Sequence, residues 1–73
     1  MKTNLDLLKE QKMREVINLL DEFHQRYDVL SKNLIRLYAE DGSYTGVEVA
    51  DDGVGIVFEG RVIGGIDELI KRL

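Results

Sequence analysis

Apolar residues recur with helical period from Asn4 to about Ser31. At 100° per residue, Leu5, Val16, Leu19, Leu20, Phe23, Tyr27 and Leu30 share one side, flanked by Leu8 and Met13. Gln11, Asn18, Asp21 and Gln25 occupy the polar side. Thr3 followed by Asp6 predicts a helix start, the Thr3 hydroxyl reaching a free N–H of the first turn. Glu10–Arg14 and Glu22–Arg26 stand in the favourable i,i+4 order. Lys9 and Lys12 interrupt the apolar arc, which is clean from Met13 onward.

At Asn33 the period changes to two. Ile35, Leu37 and Ala39 alternate with Arg36, Tyr38 and Glu40, the pattern of a half-buried strand. Asp41-Gly42-Ser43 predicts a hairpin turn. Thr45, Val47 and Val49 form the next strand, Asp51-Asp52-Gly53 the next turn, and Val54, Ile56 and Phe58 the strand after it. Glu59-Gly60 turns into a short strand from Arg61 to Ile63. Gly64-Gly65 opens a final helix over Ile66 to Leu73, with acids in its first turn and bases in its last. All seven glycines lie between Gly42 and Gly65, and there is no proline. The reading is an α+β single domain: a helical arm over 1–32 packed on an antiparallel meander of three or four strands over 33–63, then a short C-terminal helix over 64–73.

Lengths carry the first functional expectation. A helix from Asn4 to Ser31 would run roughly 42 Å, whereas strands of five or six residues span only ~17–20 Å. Its N-terminal half would overhang its own sheet. That makes Leu5, Leu7, Leu8 and Lys12 candidate contacts for another protein or a second copy, and predicts a homodimer formed through the long helix.

Composition narrows the chemistry. With 73 residues and no cysteine, the chain has a small core and no access to disulfide or thiolate chemistry. A single histidine, His24, does not build a zinc site on nitrogen ligands. A net charge of -4 disfavours nucleic acid and anionic membrane as partners. The opening residues are too charged for a signal peptide, so a cytoplasmic location is expected. Neither serine, Ser31 or Ser43, comes with a base and an oxyanion-hole motif, so no enzyme, cofactor or metal role is expected. His24 sits four residues before Asp28, within hydrogen-bonding reach on a helix. Tyr38 and Tyr44 are placed to face each other across the first hairpin.

Two alternatives to a contact protein arise. Glu40, Asp41, Glu48, Asp51, Asp52 and Glu59 fall in a stretch without a base, which suggests either solvated turns or an acidic mimic of nucleic acid. The stretch Val54 to Leu69, ending Gly64-Gly65-Ile66-Asp67, resembles the C-terminal strand–turn–strand–helix of glutaredoxins. The family's active-site cysteine and cis-proline are missing. What the resemblance implies is a ligand site for a carboxylate or γ-glutamyl group at Gly64, Gly65 and Asp67, without thiol chemistry.

Overall fold

The computed structural model describes all 73 residues. Its elements are α1 (Asn4–Glu22), β1 (Arg26–Ser31), β2 (Leu34–Tyr38), β3 (Tyr44–Val49), β4 (Ile56–Phe58), β5 (Arg61–Gly64) and α2 (Ile66–Ile70). The five strands form one antiparallel sheet in sequence order. The α+β class, long first helix, meander and short last helix are as expected.

The helical arm, however, ends at Glu22, and the residues expected to continue it form the edge strand β1. Three hydrogen bonds show how α1 stops. The N–H groups of Phe23, His24 and Gln25 donate to the carbonyls of Leu19, Asp21 and Leu20. The last two are the paired bonds of a Schellman stop, with His24 in the left-handed position (φ 55) that glycine usually fills. Beyond it, Tyr27 and Val29 alternate with Arg26 and Asp28, and that period of two pairs with β2. Tyr27 and Leu30 also fit the helical stripe, and no glycine marks the stop. The Glu22–Arg26 and His24–Asp28 helical pairs therefore do not exist, because Arg26 and Asp28 lie on the strand. At the other end, Thr3 Oγ1 accepts the Asp6 N–H and the Asp6 carboxylate accepts the Thr3 N–H, each at 3.1 Å, as a capping box requires.

The core lies between one face of the sheet and both helices. Met13, Val16, Leu19 and Leu20 of α1 and Leu69 of α2 meet Ile35, Leu37, Val47, Val49 and Ile56 of the sheet. Tyr27 fastens β1 to α1, its hydroxyl donating to Asp21 Oδ1 at 2.7 Å. That bond, with burial second, raises the Tyr27 phenol above its ordinary value.

At 19 residues α1 is about 28 Å long, so the overhang inferred from a longer helix is reduced: the buried residues of α1 begin at Met13, and Leu5, Leu7 and Leu8 ahead of it stay exposed. Its first turns lie against the β3–β4 connection. A methyl built on Gly53 would stand 2.8 Å from Leu8 Cβ and 3.3 Å from Leu5 Cδ1.

Candidate functional site

Pleating sends alternate side chains of each strand to opposite faces. Since both helices cover the inner face, the outer face carries the remainder. In register across it, Arg26 of β1 stands opposite Tyr38 of β2, which stands opposite Tyr44 of β3. The adjacent row is Asp28, Arg36 and Gly46, and the next is Leu34, Glu48, Val57 and Val62.

These side chains hold one another. The Tyr38 and Tyr44 rings meet edge-on with centroids 6.2 Å apart, the cross-strand pair expected from the hairpin. The Arg36 guanidinium lies 4.5 Å from the centre of the Tyr44 ring, and that of Arg26 lies 5.7 Å from the Tyr38 ring. The Tyr38 hydroxyl donates to Asp28 Oδ2 at 2.7 Å. Hydrogen bonding with Tyr38 raises the pKa of Arg36, reinforced by both tyrosines and Asp28. Tyr44 remains 63% exposed and Val62 68%, so aromatic and aliphatic surface faces solvent here.

Gly46 is set among these residues, in the interior of the central strand. Glycine there weakens a strand by roughly 0.5–1 kcal/mol relative to alanine. Nothing in the fold requires it. Its φ lies outside the left-handed region, and an added Cβ would meet only Leu34 Cδ1, at 3.9 Å. The result is a bare stretch of main chain flanked by Arg36, Tyr38 and Tyr44.

The residues singled out from the sequence are dispersed. Leu5 and Leu8 lean on Gly53 yet remain 41% and 44% exposed, and Leu7 points away from the core at 47% exposure. Lys12 is mostly covered and bonds Glu15 at 2.8 Å. The four do not form one patch, since Leu7 is on the opposite side of the helix from Leu5, Leu8 and Lys12.

At the Gly64–Asp67 turn, Gly65 is open and its carbonyl accepts the N–H groups of Glu68 and Leu69. The Glu68 side chain lies over Gly64, 3.0 Å from where a Cβ would stand. Asp67 stands beside it, and Lys71 Nζ at 3.3 Å and the Arg72 guanidinium at 3.8 Å pair with Glu68, so the turn carries charge of both signs.

Two of the acidic turns serve their own backbone. Asp41 Oδ1 accepts the Ser43 N–H at 2.9 Å and the Ser43 hydroxyl at 2.6 Å. Asp52 Oδ1 accepts the N–H groups of Val54 and Gly55, both at 2.9 Å. These bonds lower both pKa values, led by the Ser43 hydroxyl for Asp41 and the Gly55 N–H for Asp52.

Among several open hollows, one of about 270 Å³ sits at the turn end of the sheet, bordered by Gln25, Tyr44, Phe58, Glu59 and Arg72. No three of the histidine and acidic residues converge as a metal site, and no helix is long and apolar enough to cross a membrane.

The sequence contained the tyrosine pair but not the whole outer face, because Arg26 and Asp28 fall within a stretch whose apolar residues also fit a helical period. Strand alternation through Arg26–Val29 was the signal that could have revealed it.

Comparison with protein-family models, with curated proteins and with solved structures finds no match to this chain.

Proposed function

We propose that this chain works by protein–protein contact, as a cytoplasmic regulator, inhibitor or accessory subunit without chemistry of its own. The contact surface is the outer face of the sheet. The observation that carries this reading is Gly46: a strand-weakening glycine with no structural need, set among the exposed Tyr44 and the half-buried Arg36 and Tyr38. Tyrosine and arginine are enriched among residues that dominate interface energy. Here they are braced against one another before any partner arrives, so less side-chain entropy is lost on binding. The missing Cβ lets a partner's main chain approach β3 closely. Alternating charges, Arg26 and Arg36 against Asp28 and Glu48, suit a polar protein surface better than a uniformly charged polymer.

The test separates binding from folding. Replacing Gly46→Thr supplies a β-branched residue to a central strand and is expected to raise the unfolding midpoint in urea. The same change fills the bare stretch and is expected to abolish capture of the partner from native cells, while Leu7→Glu on the back of α1 leaves capture intact. A partner retained equally by wild type, Gly46→Thr and Arg36→Glu chains would refute the outer-face reading.

A further inference from the structure

The edge of the sheet at β1 has a geometry of its own, independent of the face just described. The N–H of Ala39 donates to Ser43 O at 2.8 Å, and that of Val49 to Asn33 O at 2.9 Å. In an antiparallel ladder, bonded and non-bonded pairs alternate. The odd-numbered residues of β2 therefore direct their backbone groups toward β3, and Leu34, Arg36 and Tyr38 direct theirs toward β1. Their partners Arg26 and Asp28 are thus the residues of β1 bonded into the sheet. It follows that the N–H and C=O groups of Tyr27 and Val29 point outward.

This edge carries few of the usual defences. Both helices pack on the inner face, and β1 contains neither lysine nor proline. Val29 is 52% and Leu30 48% exposed. The bulge lies between Val29 and Ser31, past the regular stretch.

We propose that β1 pairs antiparallel with β1 of a second copy, in the register centred on Tyr27. Charge selects both occupant and register. Centred on Tyr27, Arg26 of each copy stands opposite Asp28 of the other, twice by symmetry. Tyr27 then exchanges backbone hydrogen bonds with its own counterpart, and Val29 lies diagonal to the counterpart's ring. Centred on Asp28, like charges oppose each other. Centred on Val29, the pairing runs into the bulge and matches no charges. At the other edge of the sheet, β5 spans only Arg61–Gly64 and contains no acid to answer Arg61. The pairing would make one ten-stranded sheet, with both outer faces on the same side.

A charge-swap experiment tests this. Sedimentation equilibrium of the full chain should show association of the 8.4 kDa protomer to a dimer with rising concentration. Arg26→Asp and Asp28→Arg should each weaken self-association about tenfold, because both cross-pairs become like-charged. Mixing the two variants restores opposite charges at both positions and should recover a 1:1 heterodimer. In wild type, the Tyr27 and Val29 amides should exchange rapidly when dilute and gain protection as the dimer forms, a readout that does not depend on any variant folding. The proposal is overturned if the wild type stays monomeric at millimolar concentration, if either variant associates as tightly as wild type, or if the folded variants fail to pair on mixing. It is also overturned if the wild type associates without protecting these two amides. Each result is independent of partner capture through Gly46.

Discussion

At the scale of single residues, Gly53 and Gly46 do opposite work. Gly53 combines φ +74 with a would-be Cβ 2.8 Å from Leu8 Cβ, an atom fixed to the α1 backbone. The turn can seat the first turns of the helix only because that atom is missing. Gly53→Ala is expected to lower stability by about 1–3 kcal/mol, from overpacking added to left-handed strain. Urea denaturation measures it, and an unchanged midpoint would show that this turn does not hold α1. Gly46 meets no such constraint, since an added Cβ would touch only Leu34 Cδ1, at 3.9 Å. Among the charged residues, Asp41 and Asp52 are used locally as turn-forming acceptors, so the run of acids read from the sequence is less a charged surface than a set of turns.

At the scale of elements, the boundary between α1 and β1 is the main departure from the sequence reading. Two periodicities overlap from Phe23 to Leu30, and the longer one had more residues in phase with it. The helix ends because His24 takes the left-handed conformation, which a histidine enters at a cost of roughly 1–2 kcal/mol. Tertiary contacts offset that cost: β1 pairs with β2 from Arg26 to Val29 and again at Ser31, and Tyr27 reaches back to Asp21. His24→Gly should therefore stabilise the protein by up to about 1 kcal/mol, since glycine occupies this position without strain. Differential scanning calorimetry would detect the rise in Tm. A fall would mean that the imidazole makes a contact outweighing the strain. The turns between the later strands were legible because glycine marks them: Gly42 (φ 89), Gly53 (φ 74) and Gly60 (φ 80) each take a positive φ. However, β4 starts at Ile56 rather than Val54, and α2 stops at Ile70 rather than Leu73, which leaves Lys71 and Arg72 beyond its last turn.

At the scale of the whole molecule, one sheet face is spent on the core and the other is left to solvent, as small antiparallel domains allow. Stability then rests on a compact apolar layer and exposed polar turns, and the turns make it sensitive to acid. Asp6, Asp41 and Asp52 have folded pKa values below the ordinary 3.8 because each accepts hydrogen bonds, Asp6 chiefly from the Thr3 backbone N–H. A depressed folded pKa means that the unfolded chain takes up the proton first. Their contribution is therefore complete above the unfolded value near 3.8 and is lost as pH falls through the lower folded values. The urea midpoint should be level near neutrality and drop below about pH 4. A midpoint that stayed flat to pH 2 would show that these bonds do not favour the folded state. The sequence by itself determined the helix start at Thr3, the meander from Leu34 to Gly64 and most of the core, although Leu5, Phe23 and Leu30 of the apolar stripe lie exposed. Each of these is written in local turn chemistry or in the period of apolar side chains. Only the tertiary structure decided where α1 ends, that β1 exists, and that Arg26 and Asp28 join Arg36, Tyr38, Tyr44 and Gly46 on one face. Those outcomes depend on pairing β1 with β2, and a non-local ladder can overrule a local period that fits helix and strand alike.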